Sequence, residues 1–197
     1  MSKRTMCAAL LLLAVPGIGA AQQPRGWVVS GSAGQAWFSE AATGEATDFR
    51  PSPGLTVSLG VTRRFAKWEV SLMADTRPSV LRASDSVSVI QLSSLSFGRT
   101  GLTLTLGRTL ARTGSASVVA GAGMRLDGWT LPEDGHRWRA GAEAHGAVRL
   151  GLGAVTVENR LTLGLSGSPF DAADLPDGYE RRVLRWMEVD IGLRVGL

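Results

Sequence analysis

Met187-Glu188-Val189-Asp190-Ile191-Gly192-Leu193-Arg194-Val195-Gly196-Leu197 is the stretch whose reading decides the fold. Met187, Val189, Ile191, Leu193, Val195 and Leu197 share one face of an extended chain. Glu188, Asp190, Gly192, Arg194 and Gly196 share the other. Successive side chains leave a pleated backbone on opposite sides, so a period of two predicts a strand. The alternation runs to residue 197, and the main-chain N–H and C=O groups of such a strand must pair with another.

Working back from it, the same period recurs. Val155, Val157, Leu161, Leu163 and Leu165 oppose Thr156, Glu158, Arg160, Thr162 and Gly164, with Asn159 among the apolar set. Trp138, Ala140, Ala142, Ala144, Val148 and Leu150 oppose Arg139, Gly141, Glu143, His145 and Arg149. Val118, Ala120, Ala122, Met124 and Leu126 oppose Gly121, Gly123, Arg125 and Asp127. Leu102–Leu110, Trp68–Asp75, Leu55–Thr62 and Trp27–Phe38 complete the set. Tight turns are expected at 64–67, 111–114 and 151–154. Longer connections are expected at 39–53, 77–97, 128–137 and 166–182, where Gly, Pro, Ser and Asp collect.

Parity orders these pieces. If Ser86–Phe97 were a spanning strand, the count would be nine and long and short connections would change sides midway. If it is an outer extension or inserted hairpin, the count is eight. All tight turns then lie at one end and all long loops at the other. An even strand number with short turns on one side and long loops on the other is the pattern of bacterial outer-membrane barrels. The fold class read from the sequence is all-β, an eight-stranded antiparallel up-and-down transmembrane β-barrel, with the terminal strand closing against Trp27–Phe38.

The start of the chain is consistent with export. Lys3 and Arg4 precede an apolar stretch, Cys7 to Ala21, ending in Gly19-Ala20-Ala21. This predicts a signal peptide over residues 1–21 with cleavage before Gln22, leaving 22–197 as the barrel domain. Cys7, the one cysteine, leaves with it, so neither a disulfide nor thiolate chemistry is expected in the mature chain. Formal charge falls from +4 to +2 with the loss of Lys3 and Arg4. Lys67 is then the single lysine, and no basic stripe of the kind nucleic acid requires is present.

Alternation alone does not say which face is inside, since a soluble ligand-carrying barrel has the same period with the apolar face inward. The polar face here is Gly, Ser, Thr and Arg with Asp or Glu, which suits a crowded lumen. Aromatics sit at strand ends: Trp27 and Trp68 on the turn side, Trp37, Phe38, Trp129 and Trp138 on the loop side. Two girdles flanking an aliphatic band fit two lipid–water interfaces. The apolar face is therefore expected to point outward.

The chain resembles the small eight-stranded outer-membrane barrels of the OmpX and OmpA transmembrane-domain type. The resemblance spans the mature chain as a pattern. Its most specific piece is the terminal motif, where Asp190, Gly192, Val195 and Leu197 resemble the family's assembly signal. The family usually ends in an aromatic, and Leu197 departs from that. The resemblance implies contact with the barrel-assembly machinery during biogenesis, and with outer-membrane lipid and lipopolysaccharide afterwards.

With the apolar face outward, the expected luminal charge network comprises Glu69, Arg125, Arg139, Glu143, His145, Arg149, Glu158, Arg160, Glu188, Asp190 and Arg194, with Asp75 and Asp127 on the same face. Both signs are well represented. Buried charges are costly unless paired, so the set predicts mutual neutralisation. An eight-stranded barrel is only wide enough for side chains to fill, so an open solute pore is not expected. The role expected is structural or surface-interacting, without cofactor, metal or catalytic residue. The alternatives are a lipid-modifying enzyme and a periplasmic apolar-ligand carrier. Outer-membrane lipid A deacylases are similar barrels with a His-x-Ser pair. Here His145-Gly146-Ala147 lacks the hydroxyl that the imidazole would activate, although Glu158 lies on the following strand. Asp171, Asp174, Asp177 and Glu180 read as a solvated acidic loop, with Pro176-Asp177-Gly178 as turn chemistry.

Overall fold

The computed structural model describes residues 26–44, 47–85, 89–131 and 135–197. The expected signal segment, 1–21, lies outside them. In chain order the strands are β1 (Trp27–Phe38), β2 (Ala42–Thr43), β3 (Asp48–Pro51), β4 (Gly54–Phe65), β5 (Trp68–Ser84), β6 (Val89–Thr113), β7 (Ala116–Leu131), β8 (Gly135–Leu152), β9 (Val155–Ser166), β10 (Glu180–Arg181) and β11 (Leu184–Gly196).

Eight of these are long, and each pairs antiparallel with its neighbour in sequence. The circuit runs β1-β4-β5-β6-β7-β8-β9-β11. It closes where β11 meets β1, from Val28 opposite Gly196 to Phe38 opposite Trp186. The terminal strand therefore has the first strand as its partner, and the closed circuit leaves the barrel wall without an open edge.

The tight turns are two-residue hairpins. Phe65 pairs with Trp68, Thr113 with Ala116 and Leu152 with Val155. Such hairpins twist with their strands when the first turn residue has positive φ. Gly114 and Gly153 supply it at +58° and +68°, but Ala66 adopts 51° with a side chain in place.

The opposite end departs from the expected loops. Residues 77–97 are mostly strand: β5 continues to Ser84 and β6 starts at Val89, paired as one hairpin up to Ser84 opposite Val89 that extends beyond the barrel wall, the outer-extension alternative for Ser86–Phe97. Ser-rich composition and Pro78 hid this. Pro78 faces Gly98 in the pairing, and a register shift between Ser79 and Leu81 absorbs extra residues of β6. The expected loop at 128–137 is likewise shorter, because β7 runs to Leu131 and β8 begins at Gly135. From Arg77 to Ser84 the hairpin rises roughly 20 Å further along the strand direction. β3 pairs with the upper part of β5, and β2 and β10 add to it, so a small sheet extends the loop-side end.

The apolar row faces outward. Leu59, Leu72, Leu104, Leu163 and Ile191 are each half exposed or more, whereas Glu69, Arg125, Arg149, Glu158 and Arg194 are buried. This is the inverse of a water-soluble barrel. The girdle needs one correction: Trp27, Trp68, Trp37 and Trp138 do face outward, but Phe38 and Trp129 point into the barrel mouth. They pack there with Leu81, Phe97, Leu131, Phe170, Leu184 and Trp186, against Phe49 and Leu175. The only compact apolar core among the described residues is thus a cap over the loop-side end of the lumen.

Candidate functional site: the luminal charge network and the loop-side clasp

Alternation places a polar residue of each strand on the axis at every second position, and strand stagger sets their heights. Among the described residues, seven arginines take part in the interior network: Arg64, Arg77, Arg99, Arg125, Arg149, Arg160 and Arg194. Seven carboxylates face them: Glu69, Asp75, Asp127, Glu143, Glu158, Glu188 and Asp190. The lumen is formally neutral, the condition under which so many buried charges can persist.

The network has two layers. In the turn-side layer Arg149 holds Glu69 with both terminal nitrogens, at 2.7 and 2.6 Å, and also bonds Glu158 through Nε. Glu158 accepts as well from Arg160 at 2.6 Å and Arg194 at 3.1 Å. Arg194 and Arg64 reach Glu69 at 3.6 and 3.8 Å. In the loop-side layer Arg125 donates to both oxygens of Asp75 at 2.7 Å, to Asp127 at 2.5 Å and to Glu143 at 3.3 Å. Arg99 stands above them, 3.4 Å from Asp75, 3.8 Å from Asp127 and 3.9 Å from Glu188. The planar guanidinium fork suits this sharing of carboxylates, which a point-like ammonium would serve less well.

Arg99 and Arg77 join the network to the aromatic cap. The Arg77 guanidinium lies 4.4 Å from the Phe38 ring centroid, and that of Arg99 lies 4.9 Å from Trp186. Arg125 approaches the same indole at 5.0 Å. Glycines make room for these bulky groups. A Cβ on Gly101 would fall 1.9 Å from Arg125 Nη2, and one on Gly164 would fall 2.2 Å from the Trp186 ring.

Ten of the expected luminal residues, with Asp75 and Asp127, share this interior. Asp190 and Glu188 lie on its β11 wall, with Glu188 accepting from Thr56 at 3.4 Å. His145 is buried beside Gly121, its ring facing the lumen rather than lipid. Arg139 stands apart. Its row is the luminal one, opposite Asp127, but its side chain engages the last loop, donating to Asp171 at 2.7 Å and to the Ser168 carbonyl at 2.6 Å. Arg64, read as a turn residue, and Arg77 and Arg99 are additions to the expected set. Arg77 and Arg99 continue the Glu69–Asp75 row and the Gly101–Thr105 row, a parity signal masked by reading 77–97 as a loop and starting the next strand at Leu102.

Arg139 belongs to a second arrangement, the clasp over the last loop. Arg137 bonds both oxygens of Asp174, at 2.9 Å to Oδ1, and reaches Asp171 at 3.3 Å. Asp171 and Asp174 cap a short 3-10 turn, Ala172–Asp174. The acidic loop is therefore partly engaged by arginines of β8. The Arg137 guanidinium holds the Asp174 carboxyl below the usual carboxylate range.

No protein-family model matches the chain, and no curated protein does. Solved structures do match. Neisserial surface protein A (NspA) aligns with a TM-score of 0.58 over 87% of this chain and 96% of its own, at 12% identity. Ail, the attachment invasion locus protein of Yersinia pestis, in complex with the heparin analogue sucrose octasulfate, aligns over 86% of this chain and 99% of its own, at 11% identity and a TM-score of 0.43. The likeness to NspA shows the fold, that of the small eight-stranded outer-membrane barrels.

Proposed function

We propose that this chain resides in a bacterial outer membrane as a sealed, non-enzymatic barrel that presents its loop-side end as a binding platform. The observation carrying the reading is the inversion of the barrel: an aliphatic exterior around a charge-balanced interior. Half-exposed Leu, Val and Ile on every long strand are stable against acyl chains and costly in water. Inside, two layers of paired arginines and carboxylates fill the lumen, and the aromatic cap lies over them.

The platform reading rests on how the loop end is built. Phe49 packs on Tyr179 and on Phe170, with ring centroids 5.2 and 6.4 Å apart, and Phe170 stacks on Phe97. The clasp of Arg137 and Arg139 on Asp171 and Asp174 fixes the last loop. A surface held this way loses little entropy when a partner docks. Lipopolysaccharide surrounds such a platform in an outer membrane, and delivery there would use the barrel-assembly machinery reading the β11 terminus at Asp190, Gly192, Val195 and Leu197.

Membrane fractions from expressing cells test the reading. The protein should stay in the pellet through urea and carbonate washes. It should also run as a compact band before boiling and shift afterwards, and give no open-pore conductance in planar bilayers. Release by carbonate would remove the membrane reading, and steady ion conductance would remove the sealed lumen. For the enzymatic alternative, lipid A from cells with and without the protein should have identical mass spectra.

A further inference from the structure

At the turn-side end the wall is uneven. β5 stops pairing with β6 at Trp68 opposite Arg108, yet β6 continues to Thr113 against β7. The β6–β7 hairpin therefore overhangs the β4–β5 turn and leaves a notch beside it. The notch is lined by Ala66, Lys67 and residues Arg108 to Arg112. Lys67 and Arg108 bring two cations to it, and no carboxylate lines it. Glu69, two positions beyond Lys67, is turned into the lumen on Arg149.

The rim is apolar where it faces outward. Leu110 is 63% exposed, and Trp68 lies below Arg108, whose guanidinium is 5.3 Å from the indole centroid. Stacking orients the guanidinium while leaving its edge donors available. The other turns at this end, Gly114-Ser115 and Gly153-Ala154, carry no charge, so the positive patch is confined to one side of the barrel.

We infer that this notch binds the headgroup of an anionic phospholipid in the leaflet facing the turns, with the phosphate on Lys67 and Arg108 and an acyl chain along Leu110 and Trp68. The inference rests on the membrane-spanning reading above. Charge complementarity selects the occupant. A zwitterionic headgroup carries its own ammonium, which two cations would repel, whereas phosphatidylglycerol brings net negative charge. Exposed aromatics with cations beside them mark the depth at which headgroups lie.

Native mass spectrometry of the detergent-solubilised protein, given equal amounts of phosphatidylglycerol and phosphatidylethanolamine, tests it. The wild type should retain phosphatidylglycerol in excess. Lys67→Gln with Arg108→Gln should cut that excess by about fivefold or more, since each basic group near a bilayer contributes on that scale. Arg181→Gln with Arg182→Gln, at the loop end, should leave it unchanged. Millimolar inorganic phosphate should not displace the lipid. Equal retention of the two lipids by a heat-modifiable wild type, or an undiminished excess in the notch variant, would overturn the site. Displacement by phosphate would make it a free-anion site instead. A wild type that shows no heat-modifiable form would remove the membrane reading together with the site.

Discussion

Arg149 on β8 and Glu69 on β5 meet across the lumen through two hydrogen bonds of 2.7 and 2.6 Å, although two strands separate them around the wall. The pair is a strut between opposite walls, where a hydrogen bond along the sheet could only join neighbours. Arg149→Leu should destabilise the barrel by about 3 kcal/mol, the range for removing one partner of a buried pair. Arg160→Leu should cost less, about 1 to 2 kcal/mol, because Glu158 keeps Arg149 and Arg194. Urea unfolding in lipid vesicles measures both. Equal losses would mean that Arg149 is not the central strut.

The turns give a sharper test of backbone energetics. Nothing lies within 4 Å of a Cβ added at Gly153, so Gly153→Ala isolates the dihedral cost, about 1 to 2 kcal/mol for a left-handed residue. Ala66 already bears that cost at φ 51°, so Ala66→Gly should raise stability by about 0.5 to 1 kcal/mol after the entropic penalty of glycine. Opposite signs at equivalent turn positions are the expected result in the same unfolding assay.

The clasp should respond to acid in one direction. Arg137 lowers the Asp174 carboxyl through their hydrogen bond, with Arg139 and the Asp171 backbone N–H acting the same way. A carboxyl depressed on folding contributes order above its unfolded value of about 4 and loses it as pH falls through the folded value. Proteolysis of the 167–183 loop should therefore be flat from pH 7 down to about pH 5 and rise only below about pH 4. Asp174→Asn should raise cleavage at neutral pH and flatten the acid response. A wild-type loop that opened between pH 6 and 5 would contradict the clasp.

Much of the wall was legible because a period of two is a local signal that each strand repeats. Closure of β11 on β1 and the outward apolar row followed from it. The loop-side end was not legible for a physical reason. Beyond the aliphatic band, hairpin residues pair without a lipid-facing side, so the β5–β6 extension lacks apolar alternation and reads as loop. The same gap hid Arg77 and Arg99. Trp129 was recoverable, since it continues the Arg125–Asp127 row, but an indole near a strand end suggests an interface. The clasp of Arg137 on Asp174 had no sequence signal, because 37 positions separate residues that only the folded loop brings together.

The central claim is that the barrel is inverted, and spin labels test it most directly. Residues 22–197 contain no cysteine, so single replacements are clean reporters. Labels at Leu104→Cys, Leu163→Cys and Ile191→Cys, in vesicle-reconstituted protein, should be accessible to dissolved oxygen and shielded from a water-soluble nickel chelate. Labels on the turn at Ala154→Cys should show the reverse. Chelate access at Leu104, Leu163 and Ile191 would place the aliphatic row in water, and burial of all three from both reagents would place it inside; either result contradicts the account.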